Sequence, residues 1–349
     1  MPLNVYTLSD SEKWDQTVRS FKNYDTYWLS GYVKAFYLHG DGDPMLFYYE
    51  SSEIRAINVV MKCDIARDPH FTGRIPEGEY FDFATPYGYG GWLVERSADS
   101  APASELFDAY ESWLRESGIV AEFVRFHPMI GNHEACREYY EVVTLGEVVH
   151  MDLSSPETIY ANLTSKNRNM VRKAEKNGVS IYNGRYPDIY RRFREIYNGT
   201  MDRDNADRYY YFEEQFYESI LMDLPQNAQV FYAEKDGEVI AASIMLTANG
   251  YMNYHLSGSL REYSSLAPTN LLLFKAALWG CAQGCRTLYL GGGVGSGADS
   301  LFKFKRAFYR GDDLRRFRIG KRIHDREKYD RLCAMREPTE SMFFPRYRA

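Results

Sequence analysis

The sequence lacks several features that would place it in a common class. No apolar run reaches the roughly 18 residues that cross a bilayer, and the N-terminus MPLNVYTLSDSEKW lacks the pattern of a signal peptide. The five cysteines include no C-x-x-C pair. An odd set of thiols indicates a reducing compartment rather than a disulfide framework. We therefore expect a cytoplasmic protein with no transmembrane segment, and a peripheral contact with a membrane surface stays open.

The sequence contains no complete nucleotide-binding motif. Residues 287–311 read TLYLGGGVGSGADSLFKFKRAFYRG, in which Gly293, Gly295 and Ala298 fit G-x-G-x-x-A after a short apolar run. A dinucleotide fold needs several further βα units after this loop, but only 38 residues follow Gly311. No G-K-[ST] closes the loop as it does in a P-loop. The glycines therefore indicate a turn between a strand and a helix.

A metal site is not predicted either. His127, His133 and Glu134 are close together in the sequence, but they lack the spacing of metal ligands.

Tyrosine is abundant, at 30 of 349 residues, in a chain long enough for two domains. Charge is uneven, because residues 1–150 contain 12 Lys and Arg against 24 Asp and Glu, whereas residues 151–349 contain 30 against 24. The stretch 303–331 is the most basic part, with 12 Lys and Arg against five acids. An anionic partner such as tRNA would therefore meet the second half. A solvated basic face is the alternative.

Similar elements follow one another in both halves of the chain. The segments DPMLFYYE and EIRAINVVMKCDI predict a hairpin, followed by a strand in YFDFA, a helix over 103–117 and the strand VAEFVRF. The second half begins with a helical segment over 155–178. It continues with strands in VFYAEK, AASIML and YMNYHLSGS, a helix over 269–283 and the strand TLYLGG. We predict an α+β fold with mixed, mostly antiparallel sheets flanked by helices.

These motifs and their order resemble the FemABX-like branch of the GNAT acyltransferases, in which the GNAT core occurs twice. The likeness lies in TPYGYGGWL (85–93), LTSKNRNMVRKAEKNGVSI (163–181), GSLREYSSLAPTNLLLFKAALWGCAQG (258–284) and LYLGGG…SLFKFKRAFY (288–309). The resemblance implies two tandem GNAT-like domains, 1–150 and 151–349. It also implies transfer of an acyl or aminoacyl group to an amine acceptor, either a small molecule or a lipid-linked cell-wall precursor of peptidoglycan biosynthesis.

The same resemblance implies a donor that is an acyl-CoA or an aminoacyl-tRNA, held at the loop before the 269–283 helix. Ser264, Ser265 and Thr269 are its candidate hydroxyl donors. The Q/R-x-x-G-x-G/A loop that is usual in GNAT proteins is absent, so both donors stay open. Coenzyme A-dependent N-acetylation of a small metabolite is one alternative function. A catalytically silent module that binds tRNA or a nucleotide-linked ligand is the other.

Candidate catalytic residues also follow from the resemblance. The Lys of an F-K-x-x-F element faces the reacting carbonyl, and here Phe304 and Lys305 begin that element. Lys305 is the candidate for stabilising the oxyanion, and a lysine that snorkels between two phenylalanines is the alternative. Tyr254 and His255, on the predicted strand YMNYHLSGS, are candidate bases. Side-chain alternation would send only one of these two toward the cleft.

Two further pairs are candidates for binding. Arg168 and Arg172 share a helix face and suit a pyrophosphate or a nucleic-acid backbone; a solvated face is the alternative. Tyr87 and Tyr89 are candidates for the acceptor cleft, and aromatic packing at a domain interface is the alternative.

Overall fold

The computed structural model describes residues 2–96, 103–337 and 340–349. The strands are β1 (Leu3–Tyr6), β2 (Asp43–Glu50), β3 (Ile54–Asp64), β4 (Phe81–Ala84), β5 (Leu93–Arg96), β6 (Ile119–Phe126), β7 (Glu141–Asp152), β8 (Ser180–Gly184), β9 (Ala228–Lys235), β10 (Glu238–Ala248), β11 (Tyr251–Ser259), β12 (Thr287–Gly291) and β13 (Arg315–Ile323). The helices are α1 (Ser11–Arg19), α2 (Ser30–His39), α3 (Ser104–Glu116), α4 (Pro156–Asn162), α5 (Ser165–Lys176), α6 (Pro187–Arg203), α7 (Glu214–Asp223), α8 (Pro268–Ala282), α9 (Ser300–Arg306) and α10 (Arg326–Ala334). The predicted α+β class is confirmed.

The chain divides into two compact units. Unit 1 contains Met1–Leu145 and Phe317–Ala349, and unit 2 contains Gly146–Arg316. The sequence placed the division at residue 150, close to the observed one, but it placed residues 317–349 in the second domain. Those residues belong to unit 1 because β13 pairs antiparallel with β6, from Arg318 opposite Phe126 to Ile323 opposite Ala121. Local sequence patterns carry no information about so distant a strand partner.

Unit 1 has a mixed sheet in the order β1-β2-β3-β4-β6-β13, with β5 also paired to β3. Its neighbouring strands are antiparallel, except that β4 and β6 run parallel. Because parallel neighbours need a crossover, α3 connects β4 to β6. The predicted β2–β3 hairpin is present in register from Asp43 opposite Lys62 to Glu50 opposite Arg55.

Unit 2 repeats this arrangement in the order β7-β12-β11-β10-β9-β8. Its parallel pair is β11 and β12, joined by α8, and its other pairs are antiparallel. Helix α8 is apolar around most of its circumference, which is typical of a helix covered on several sides. It packs in a core with β9 to β12, α4 and α5.

Two helices form where the sequence indicated one helical segment over 155–178. Ser155 caps the start of α4, as its residue type indicated, because its side chain accepts the Thr158 N–H at 3.1 Å. Thr164 then caps a second helix, α5, by accepting the Asn167 N–H at 3.2 Å. Within residues 2–96, 103–337 and 340–349, no helix is both long and apolar enough to span a membrane.

Candidate functional site

The parallel strands of unit 2 separate and leave a wedge between them. β11 pairs with β12 only from Tyr251 opposite Thr287 to Asn253 opposite Tyr289, although it continues to Ser259 against β10. Ligands of open sheets bind beyond the carboxyl ends of parallel strands. The wedge therefore marks the candidate site, which is bounded by the second half of β11, the start of α8 and the end of β12.

A β-bulge lies where β11 leaves β12. Ile244 of β10 pairs with Leu256, but the next residue, Met245, pairs with Tyr254, so His255 is the extra residue. A bulge bends its strand and increases the local twist. Before it, Met252 and Tyr254 pack with the α8 core. After it, Gly258 lies against α6, since a Cβ there would be 2.8 Å from the Ile196 carbonyl oxygen. The simple alternation assumed from the sequence therefore fails at His255.

The environments of Tyr254 and His255 differ from those of an ordinary base. Burial raises the pKa of Tyr254, although hydrogen bonds with the Ser257 and Ser243 side chains oppose the rise. The phenol therefore stays protonated at neutral pH. Burial lowers the pKa of His255 to about 3. That imidazole is neutral at pH 7 but is a weak proton acceptor, because an efficient base has a pKa near the operating pH.

The start of α8 lies at the open end of the wedge. The helix begins at Pro268, one residue before Thr269, and Ala267 precedes it with φ of 56°. The first-turn N–H groups of a helix have no partner within it, and they favour an anion. Ser264 and Ser265 are exposed on the short 3-10 helix Arg261–Leu266 that leads into α8.

Lys305 lies on α9, which follows β12 through a glycine-rich loop. It is only 9% exposed, and its Nζ donates a hydrogen bond to the Gly292 carbonyl at 2.7 Å. Burial lowers its pKa to about 8, with attraction to Asp299 opposing the fall. The ammonium is therefore buried rather than snorkelling into water. Phe304 beside it packs on the core and makes an edge-on contact with Phe308 at 5.5 Å between ring centroids.

Asp299 fixes the loop to α9, and the sequence reasoning missed it. One carboxylate oxygen accepts the Phe302 N–H at 2.8 Å and the other accepts the Val294 N–H at 3.1 Å. These hydrogen bonds lower the pKa of Asp299. An Asp immediately before SLFKF has the residue type of a helix N-cap, so the signal was present in the sequence.

Arg168 and Arg172 lie on α5 and surround Tyr160. The Arg168 guanidinium is 5.6 Å from the Tyr160 ring centroid, and Arg172 Nη2 donates to the Tyr160 hydroxyl at 2.6 Å. Both therefore share one face, as the four-residue spacing predicted. Arg172 is exposed and Arg168 is half-buried.

Tyr87 and Tyr89 belong to unit 1, where both are half-buried in aromatic packing. The Tyr87 ring stacks on Phe36 at 5.7 Å between centroids. The Tyr89 ring makes edge-on contacts with Tyr27 at 5.4 Å and Phe317 at 5.6 Å. In the described part of the chain, no group of three or more His, Cys, Asp or Glu residues could hold a metal ion.

Comparison with known proteins agrees with this geometry. Residues 165–306 match the model of the acetyltransferase (GNAT) domain, and no curated protein matches the chain in sequence. A crystal structure of FemX superposes with a TM-score of 0.70 at 12% identity, covering 95% of this chain and 99% of that chain.

Two other solved structures are similar in fold. One is the C-terminal domain of a putative lysylphosphatidylglycerol synthetase from Agrobacterium fabrum, with a TM-score of 0.57 at 15% identity, covering 90% of this chain and 92% of that chain. The other is a conserved protein of unknown function from Bacteroides thetaiotaomicron, with a TM-score of 0.57 at 11% identity, covering 92% of this chain and 100% of that chain. The chain therefore has the FemX-like fold of two tandem GNAT-type units, and the sequence of its second unit matches the GNAT acetyltransferase domain.

Proposed function

We propose that this chain is a cytoplasmic acyltransferase that moves an acyl group from an acyl-CoA thioester to an amine at the wedge of unit 2. The observation that carries the proposal is the buried ammonium of Lys305 at the end of β12, beside two parallel strands that separate. The match of residues 165–306 to an acetyltransferase domain supports the same chemistry. In this assignment, the amine nitrogen attacks the thioester carbonyl, the C–N bond forms, and the C–S bond then breaks to release the thiol of coenzyme A.

Lys305 is assigned to the oxyanion of the tetrahedral intermediate. A buried cation that is already in place stabilises developing negative charge more strongly than water does. With a pKa of about 8, most Lys305 side chains carry the proton at neutral pH. The attacking amine must lose a proton, and we assign that step to solvent because neither Tyr254 nor His255 has the pKa of an effective base.

The donor's phosphates are assigned to the start of α8. The first-turn N–H groups, with Ser264, Ser265 and Thr269 nearby, are hydrogen-bond donors for an anion. Arg168 and Arg172 on α5 add positive charge for the pyrophosphate. For the acceptor we propose an amine on a cell-wall precursor or another metabolite. FemX and the lysylphosphatidylglycerol synthetase domain have the same fold, and lysylphosphatidylglycerol is a lipid that carries an amino acid.

The test combines donor binding and transfer in the purified full chain. Calorimetry would measure the binding of acetyl-CoA, and release of the coenzyme A thiol would be followed with amino sugars and nucleotide-linked muropeptides as acceptors. We expect Lys305→Ala to lower the transfer rate about 10²–10³-fold while acetyl-CoA still binds. Lys303→Ala is the matched control, because Lys303 is exposed on the same helix. The transfer rate of the wild type should fall as the pH rises past about 8, since Lys305 then loses its proton.

Three outcomes would overturn the proposal. Acetyl-CoA binding with equal transfer by wild type and Lys305→Ala would remove the assigned role of Lys305. No binding of acetyl-CoA, together with salt-sensitive binding of charged tRNA, would replace the donor with an aminoacyl-tRNA. Binding of tRNA or a nucleotide-linked ligand without turnover on any acceptor would indicate a silent binding module.

A further inference from the structure

The side chain of Asn167 is almost completely buried and joins three helices of unit 2. It is the third residue of α5 and is 1% exposed. Its Nδ2 donates to the carbonyl oxygen of Ala307 at 3.2 Å, immediately after α9. Its Oδ1 accepts a hydrogen bond from Asn270 Nδ2, in the first turn of α8, at 2.7 Å. A buried amide usually has partners for its polar groups, and here those partners lie just after α9 and in the first turn of α8.

The Ala307 carbonyl is a point of attachment for α9. It also accepts the Thr164 N–H at 2.9 Å, so the start of α5 gives it two hydrogen bonds. A helix of seven residues is too short to be stable by itself. Asp299 holds its beginning and the Ala307 carbonyl holds its end. Lys305 lies two residues before that carbonyl, so its position depends on both attachments.

We propose that Asn167 is a positioning residue that keeps Lys305 buried against the Gly292 carbonyl and fixes α9 relative to the start of α8. The role that it serves in transfer rests on the proposed function, whereas its effect on Lys305 does not. Its Nδ2 prevents the end of α9 from moving outward, and its Oδ1 fixes Asn270. The same amide therefore sets the distance between the start of α8, which is the candidate phosphate-binding site, and the ammonium of Lys305.

The test measures the reactivity of Lys305 and needs no substrate. The folded full chain would be labelled with trace acetic anhydride across a pH series, and acetylation of Lys305 would be quantified by mass spectrometry. The pH dependence gives the pKa of Lys305 separately from its accessibility. In wild type we expect the midpoint near pH 8. In Asn167→Ala we expect a midpoint at least one pH unit higher, which lowers the neutral fraction at pH 7 about tenfold.

Matched variants separate positioning from general loss of structure. Asn177→Ala is the control, because the side chain of the exposed Asn177, at the end of the same helix, donates to the Lys173 carbonyl of that helix at 2.7 Å. The Lys305 midpoint in this variant should equal that of wild type. Asn167→Leu keeps a similar volume and adds no charge but loses the donor to Ala307, so it should also raise the midpoint. Asn270→Ala leaves the Ala307 hydrogen bonds intact, so it should have a smaller effect than Asn167→Ala.

An unchanged Lys305 midpoint in folded Asn167→Ala or Asn167→Leu would overturn the positioning role, whatever the protein transfers. If Asn167→Ala does not fold, Asn167→Leu and Asn270→Ala test the positioning role by the same measurement. With a transfer assay in hand, Asn167→Ala should lower kcat about tenfold or more with little change in the KM for the donor. Failure to find any transfer would count against the proposed function and not against the labelling result.

Discussion

The two units place similar elements around a parallel pair of strands and differ in what lies between those strands. In unit 1, the loop after β4 returns to β6: the Thr85 N–H donates to the Phe123 carbonyl at 3.0 Å and the Gly90 N–H to the Arg125 carbonyl at 2.8 Å. In unit 2, the connection from Leu260 to Ala267 leads to α8, and β11 pairs with β12 at only three positions.

The difference shows that this topology allows the two parallel strands to separate into a wedge but does not require them to do so. The loop of unit 1 carries TPYGYGGW, whose backbone hydrogen-bonds to β6 beyond the end of β4, and its tyrosine rings pack on other aromatic residues of the unit. Unit 2 instead places a bulge at His255 and a buried lysine beside the separated strands. Similar strand orders can therefore support a packed interior in one unit and a candidate reaction site in the other.

The largest effect on stability is expected at the last strand of unit 1, which His324 helps to hold in place. Its Nδ1 is 3.3 Å from Glu111 Oε1 and its Nε2 is 3.5 Å from Glu122 Oε2. Burial alone would lower the pKa of His324, but hydrogen bonds and attraction from both carboxylates raise it overall. Breaking so buried an ion pair by His324→Gln should lower the free energy of unfolding by about 3–5 kcal/mol near pH 5.5.

The sign of the pH dependence follows from the two pKa shifts. The contribution of His324 is complete below its unfolded pKa of 6.5 and is lost as the pH rises through its higher folded value. The contribution of Glu111 is complete above its unfolded pKa of 4.5 and is lost as the pH falls toward its folded pKa of about 2. Urea unfolding followed by tryptophan fluorescence should therefore show the largest gap between wild type and His324→Gln at pH 4.5–6.5. A gap that widens above pH 7, or that also occurs in exposed His70→Gln, would contradict this.

A smaller effect is expected from adding a methyl group to the loop that fills unit 1. Gly88 has φ of +99°, and a Cβ there would lie 2.5 Å from a ring carbon of Tyr27. Gly88→Ala should cost about 2–4 kcal/mol in the free energy of unfolding, from left-handed backbone and overpacking together. Gly73→Ala has a similar φ of +73° with nothing within 4 Å, so it should cost only about 1–2 kcal/mol. Equal losses in the two variants would show that the loop is not tightly packed.

The smallest stability effect should come from a glycine at the end of β12 in unit 2. Gly291 has φ of +81°, and a Cβ there would lie 3.3 Å from Lys305 Nζ. Because that neighbour is the end of a flexible side chain, Gly291→Ala should cost about 1–2 kcal/mol. Gly284→Ala, at φ of +80° in open space, should cost the same. Only Gly291→Ala should lower transfer, by about tenfold, because it displaces the ammonium. Equal transfer in both variants would contradict the placement of Lys305.

The sequence predicted those parts of the fold that depend on neighbouring residues. The hairpin of β2 and β3, the three strands β9 to β11 and the start of α4 at Ser155 all follow from alternation, turn residues and capping. The four-residue spacing of Arg168 and Arg172 predicted a shared face. The start of α5 at Thr164 was missed, because this cap lies inside a segment that reads as helical throughout.

The parts that the sequence could not give depend on residues that are distant in the chain. The membership of residues 317–349 in unit 1 depends on the pairing of β13 with β6. The orientation of Tyr254 depends on a bulge whose partner strand is β10. The burial of Lys305 brings its Nζ to the carbonyl of Gly292, 13 residues earlier in the chain.

By itself, the sequence determined the α+β class, the succession of elements in each half and the residue types from which a site could be built. Periodicity, turn chemistry and capping act over a few residues, so they can be read along the chain. Only the tertiary structure decided that the wedge of unit 1 is filled, that the strands of unit 2 part at His255, and that Lys305 is buried. Each of these depends on strand register and on packing between segments that are far apart in the sequence.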